Sequence, residues 1–129
     1  MNKHVQIEVT TKYLGKQEQS MQNDSRAPQM YVFSYTVNIT NTSSKAVKLL
    51  SRYWLITNGN GEKVEVEGDG VIGEQPVIAP NQTYSYTSAS MLKTEVGTME
   101  GFYNFQASDQ DSFKAPIAVF SLAVPNSLH

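Results

Sequence analysis

The chain has 129 residues, of which 40% are apolar and 17% charged, and its formal net charge is −2. That is enough chain and enough apolar surface for one domain, spanning residues 1–129, to fold without cross-links, and too few charges for a disordered chain. The near-neutral sum gives no general attraction to nucleic acid or to an anionic membrane; the lack of Cys excludes thiol nucleophiles and thiolate zinc sites, and His4 and His129, both near the ends, are poor candidates for a Ser-His-Asp relay.

In chain order, Val5, Ile7 and Val9 alternate with Gln6, Glu8 and Thr10 as far as Tyr13, which predicts a half-buried first strand. This alternation lacks the continuous apolar run of a secretory signal, and no stretch approaches the roughly 20 apolar residues that span a bilayer. A soluble intracellular protein is therefore expected. Leu14 to Pro28 is polar throughout, with Gln17, Glu18, Gln19, Ser20, Gln22, Asn23, Asp24 and Ser25, and is expected to be a mobile loop.

Tyr31, Phe33, Tyr35, Val37 and Ile39 mark the clearest strand, and Asn41-Thr42-Ser43-Ser44 supplies turn chemistry after it. From Val47 to Thr57 the apolar phase slips: Val47 and Leu49 hold one parity, Leu50, Trp54 and Ile56 the other. A bulge or a change of sheet near Ser51 and Arg52 accounts for the slip. Asn58-Gly59-Asn60-Gly61 is read as a tight turn in which Asn-Gly takes positive φ, followed by a short return strand at Val64 and Val66.

Gly68 to Asn81 is read as a loop. Strands are expected at Tyr84–Tyr86, Met99–Phe105 and Phe113–Leu122, the last on an edge or bulged because it contains Pro116. Ser108-Asp109-Gln110-Asp111 is the turn before that strand. With seven to eight short strands and no helical stripe, the pattern predicts an all-β fold, an antiparallel β-sandwich.

Gly68-Asp69-Gly70-Val71-Ile72-Gly73 has the GxGxxG spacing, but Pro76 and Pro80 leave no room for the helix that a dinucleotide site needs. Successive amides in such a loop can still form an anion-binding nest, so Gly68, Gly70 and Gly73 are candidate phosphate ligands. Glu65, Glu67, Asp69 and Glu74 oppose a polyphosphate there unless Arg52 or a divalent cation intervenes. The same glycines can equally just turn the chain. Charged residues at alternate strand positions are ordinarily a solvated face, so those carboxylates are not assigned as metal ligands or as glycosidase acid and base. Alternation puts Tyr53 and Trp54 on opposite faces, and Arg52, Tyr53 and Glu74 are candidate interaction residues, against a plain reading in which Trp54 is core and Arg52 pairs with a nearby carboxylate. Tyr84 and Tyr86 are expected to serve packing.

The segments VKLLSRYW, EVEGDGVIGEQPVIAP, YSYTS, VGTMEGFY and IAVFSLAVP resemble, in order, the signature blocks of the ApaG family, from about Val5 to Pro125. The chain departs from the family pattern at Tyr53, where His is common, at Thr94-Glu95-Val96, where Thr-Pro is common, and at the TSAS segment. The resemblance implies a fibronectin type III-like or immunoglobulin-like sandwich in a bacterial cytoplasmic protein, often encoded beside a dinucleoside-tetraphosphate hydrolase. It also implies a genetic link to cobalt resistance and magnesium efflux. Family domains attached to an F-box protein and to a DNA-polymerase-delta-interacting protein imply recognition of other proteins, and phosphoanhydride binding has been proposed for the motif that Gly68, Gly70 and Gly73 match. A non-enzymatic module that binds a protein partner is therefore expected, with no catalytic residue, cofactor or resident metal and with neither nucleic acid nor membrane as partner. The alternatives are a nucleotide-polyphosphate sensor built on the Gly68–Gly73 loop and a carboxylate-dependent phosphohydrolase. Whether edge strands pair two copies into a homodimer is left open.

Overall fold

In a computed structural model the chain is described over residues 4–18, 29–109 and 111–126. Residues 19–28 of the expected polar loop, Gln110 of the expected turn and His129 lie outside the described residues. Among these residues there are eight strands and no helix: β1 (Val5–Glu18), β2 (Gln29–Asn41), β3 (Val47–Asn58), β4 (Lys63–Asp69), β5 (Val77–Ile78), β6 (Thr83–Leu92), β7 (Val96–Ala107) and β8 (Ser112–Ala123). They form two antiparallel sheets, one ordered β1-β2-β6 and the other β4-β3-β7-β8, with β5 also paired to β3. This is the expected β-sandwich. No helix among the described residues is long and apolar enough to cross a membrane.

The period-two pattern becomes the core directly. Phe33, Tyr35, Val37 and Ile39 of β2 are buried, and they face Leu49 and Trp54 of β3, Met99, Tyr103 and Phe105 of β7, and Ala115, Ile117 and Leu122 of β8. Trp54 sits at the centre, edge-on to Tyr103 and Phe120 with ring centroids 6.2 and 5.8 Å apart. The expected phase slip is a bulge: the β3–β7 register shifts between Leu49 and Ser51 while the strand stays in one sheet. Pro116 lies on an edge strand opposite Phe102, and a second irregularity in the β7–β8 pairing lies close by.

Two expectations need correction. The first strand does not end at Tyr13: a register shift between Tyr13 and Gly15, whose φ is 126°, absorbs the loss of alternation and pairing continues to Glu18 opposite Gln29. Gly68 and Asp69 are not loop residues but the end of β4, opposite Arg52 and Ser51, and Val77–Ile78 adds a further short strand to β3. The β3–β4 turn takes its positive φ at Gly61 (81°) of the Asn60-Gly61 pair, as expected of an Asn-Gly turn, and the Asn58 side chain accepts from the amides of Asn60 and Glu62 to close the loop.

Candidate functional site

The bulge in β3 decides what its two faces carry. Trp54 is 2% exposed, so Arg52 shares its inward side and Tyr53 turns outward. Among the described residues Arg52 pairs with no carboxylate, contrary to the plain sequence reading. Its Nη1 donates to the backbone carbonyls of Asp69 (3.1 Å) and Gly70 (2.9 Å), which ties β3 to the chain leaving β4. Gly68 faces Arg52 across the ladder, and a Cβ there would stand 2.7 Å from Nη1. The absence of a side chain at Gly68 is what lets the guanidinium lie flat against the strand.

Beyond β4 the chain makes a tight two-residue turn. Val71 and Glu74 exchange both backbone hydrogen bonds (2.8 and 2.9 Å), with Ile72 (φ 42°) and Gly73 (φ 81°) between them, the pairing of positive angles that a primed hairpin turn requires. Val71 is fully buried and pins the turn to the core. Gly70 has φ 60°, and a Cβ on it would lie 2.0 Å from the Glu74 carbonyl oxygen, so the backbone approach permits only glycine. The Gly70 amide donates to the Leu50 carbonyl at 2.8 Å. The amides of Gly70, Val71 and Glu74 are thus all engaged within the chain. Glu74 is exposed and accepts from the Tyr84 hydroxyl at 3.2 Å; partial burial of the phenol, and after it this hydrogen bond, raise the Tyr84 pKa.

On the other side of the sheet Tyr53 stacks on Phe102, with ring centroids 5.0 Å apart and planes at 21°. Lys114 Nζ stands 4.5 Å over the Phe102 ring. The Tyr53 hydroxyl donates to Glu65 Oε2 at 2.7 Å, and this hydrogen bond is the main cause that holds the phenol above its ordinary pKa. Asn104 Nδ2 donates to Ser51 Oγ at 2.8 Å beside the stack. Ser51, Tyr53, Phe102 and Asn104 border an open depression of about 380 Å³ that Arg52, Gly68, Glu67 and Asp69 also line. The sequence candidates fall on two elements that meet at this depression, where Arg52 and Gly68 adjoin Tyr53. Arg52, Gly68, Gly70, Gly73 and Glu74 belong to the end of β4 and its turn, whereas Tyr53 belongs to the outer face.

Phe102, Lys114 and Asn104 were not singled out from the sequence. A signal existed for Phe102, an aromatic on the solvent parity of a strand whose buried parity is Met99, Tyr103 and Phe105. Gly101 supports it, since a Cβ there would lie 1.9 Å from the Tyr53 carbonyl oxygen. Among the described residues no group of three or more His, Cys, Asp or Glu gathers as a metal cage. The deeply buried titratable pair is Tyr86 and Tyr103, whose hydroxyls bond each other, and burial raises both pKa values far above neutrality. Such a pair serves as a neutral internal strut and not as an acid–base couple at ordinary pH.

Comparison with known proteins bears on these surfaces. Residues 21–107 match the family model of the ApaG domain. The chain is 46% identical over 125 residues to Protein ApaG of Photobacterium profundum and 48% identical over 125 residues to Protein ApaG of Shewanella piezotolerans, in each case covering 97% of this chain and 94% of the relative. It superposes on a crystal structure of a Bordetella pertussis protein described as ApaA with a TM-score of 0.83 and 41% identity, over 95% of both chains. A second solved structure, a structural-genomics target, gives a TM-score of 0.87 at 42% identity over 98% of this chain and 91% of the other.

Proposed function

The chain belongs to the ApaG family, and from that membership we propose that it is a non-enzymatic binding module whose partner is another protein. The observation that carries the reading is the Tyr53–Phe102 stack. Two large aromatic rings lie on the open outer face of a sheet, flanked by Lys114 on one side and Glu65 on the other. Aromatic anchors bordered by charges of both signs are typical of the residues that dominate protein interfaces. The family's link to cobalt resistance and magnesium efflux, and a cytoplasmic location, are carried with this proposal as properties that such a module would serve through its partner.

The nucleotide-polyphosphate reading is the weaker one on geometric grounds. A nest needs several successive amides that face outward, and those of Gly70, Val71 and Glu74 donate to carbonyls of the chain itself, which restricts any such nest to the Ile72–Gly73 tip. Immobilised protein exposed to bacterial lysate tests the leading proposal. A protein retained by the wild type, and lost from a Tyr53→Ala, Phe102→Ala double variant that keeps its melting temperature, is the expected result. Retention no better than on unfolded protein removes the proposal. Calorimetry with a dinucleoside tetraphosphate, with and without Mg²⁺, tests the second reading separately.

A further inference from the structure

The four edges of the two sheets are not protected alike. β1 carries Glu8, Lys12 and Lys16 and a register shift at Gly15; β4 carries Lys63, Glu65, Glu67 and Asp69; β8 carries Lys114, Pro116 and an irregular register. Charges, Pro and bulges are the devices that keep edges from accepting another strand. β6, the remaining edge, reads Thr-Tyr-Ser-Tyr-Thr-Ser-Ala-Ser-Met-Leu, with no charge and no Pro, and it pairs with β2 without a register shift.

The hydrogen-bond parity of β6 follows from its start. Asn41 N–H donates to the Gln82 carbonyl at 3.0 Å, one step beyond the Thr40–Thr83 pair, so the even-numbered residues of β6 turn their backbone groups towards β2. Thr83, Ser85, Thr87 and Ala89 then turn theirs outward, away from the sheet. Their side chains lie exposed on the outer face, where Thr83, Ser85 and Thr87 bond Thr40, Asn38 and Thr36 of β2 (2.8, 2.6 and 2.8 Å). These short side chains leave the edge open to close approach.

A second observation says what the edge is short of. The sheet of β4-β3-β7-β8 is one strand wider than that of β1-β2-β6, and β1 lies against β8, so the surplus falls at β4. The inward side of β4 carries Val64 and Val66, opposite Ile56 and Trp54, yet Val64 is 58% exposed. Between β4 and the Met91–Leu92 end of β6 lies a groove of about 270 Å³ bordered by Met30, Ile56, Val64 and Leu92, and its charged lining of Lys63, Lys93 and Glu62 leaves one positive charge in excess.

We propose that the Thr83–Ser90 edge of β6 accepts an extended segment of a partner protein as a fourth strand, with apolar side chains at alternate positions covering Val64 and Val66 of β4. The other side of the segment carries small polar residues, continuing the Thr36–Thr87 row, and an acidic residue meets Lys63 and Lys93. The occupant is a single strand and not a second copy of this chain. A copy docked through its own β6 would bring its wider sheet into the space that β4 already fills. This site is separate from the Tyr53 face and stands whether or not that face binds. Main-chain hydrogen bonds supply the affinity and the alternate side chains the selectivity, as in other strand-addition modules.

Amide hydrogen exchange read residue by residue by NMR tests it. The probe is a blocked synthetic peptide of alternating valine and threonine with a glutamate pair at its amino end. Without peptide, the amides of Ser85, Thr87 and Ala89 exchange fast and those of Tyr84, Tyr86 and Ser88 slowly. With peptide, the first set slows by about tenfold or more, and the methyl signals of Val64 and Val66 shift. Thr87→Pro, which places the ring on an outward N–H that an edge strand can forgo, abolishes the slowing. The same peptide N-methylated at alternate amides fails on the wild-type chain, which keeps the test independent of how well that variant folds. Unchanged exchange at the peptide's solubility limit overturns the proposal. So does slowing by the N-methylated peptide, slowing confined to β1, β4 or β8, or slowing that grows with protein concentration in the absence of peptide, the last identifying a second copy instead.

Discussion

The turn after β4 and the strand β6 make an instructive pair. The first advertises itself in the sequence through its glycines; the second is a plain run of Thr, Ser and Tyr. In the folded chain their roles are exchanged. The turn directs the amides of Gly70, Val71 and Glu74 inward and uses its glycines to let Arg52 and the Glu74 carbonyl approach closely, whereas β6 keeps a row of backbone groups facing out. A conspicuous motif can therefore be steric in origin, and an inconspicuous strand can carry the open valence.

The strongest way to break that comparison is Gly70→Ala. Left-handed backbone costs an L-residue about 1–2 kcal/mol, and a Cβ 2.0 Å from the Glu74 oxygen adds a displacement of backbone, so a loss of about 3–4 kcal/mol is expected in a denaturant titration. A loss below 1 kcal/mol in that titration would show that the turn is not held as described. On the buried side of β6, Tyr86→Phe strands the Tyr103 hydroxyl in the core and is expected to cost about 1–3 kcal/mol, while the Tyr86→Phe, Tyr103→Phe double variant recovers most of it.

Those two tyrosines also set an alkaline limit. Burial raises both pKa values above the ordinary 10.0, so the folded state holds its phenolic protons more tightly than the unfolded chain does. Their contribution is complete below pH 10 and declines as pH rises past that value. Thermal melts of the double variant are expected to lose less on moving to alkaline pH than those of the wild type.

Gly73→Ala sharpens the distinction within the turn itself. Gly73 has φ 81° but nothing within 4 Å of the would-be Cβ, so strain alone acts, at about 1–2 kcal/mol, less than at Gly70. The smallest effect belongs to the outward side of β6. Thr87→Ala removes one exposed bond to Thr36 and is expected to stay within about 0.5 kcal/mol of the wild type in the same titration.

Much of the fold could be read directly from the chain. Strict alternation in Tyr31–Ile39 specified which face of β2 is buried, because a pleated strand sends successive side chains to opposite sides. The parity change after Leu49 announced a bulge for the same reason. The shift at Gly15 concealed five further residues of β1, since a register shift erases the periodic signal without ending the hydrogen-bonded ladder. Of the surfaces, Tyr53 could be assigned to an outer face but Phe102 and Lys114 could not be brought to it. They reach Tyr53 from β7 and β8 only through the order β3-β7-β8 and the register of those ladders.

By itself, then, the sequence determined an all-β chain, the inward side of its clearest strands and the absence of thiol chemistry, which follow from residue type and local period, while the family was carried by the resemblance of whole segments. Tertiary structure alone decided that Arg52 spans to the carbonyls of Asp69 and Gly70, that Tyr53 and Phe102 stack, and that one sheet is a strand narrower than the other. Each of these depends on contacts between residues far apart in the chain. Local periodicity fixes which way a side chain points along its own strand, and pairing order fixes what it meets there.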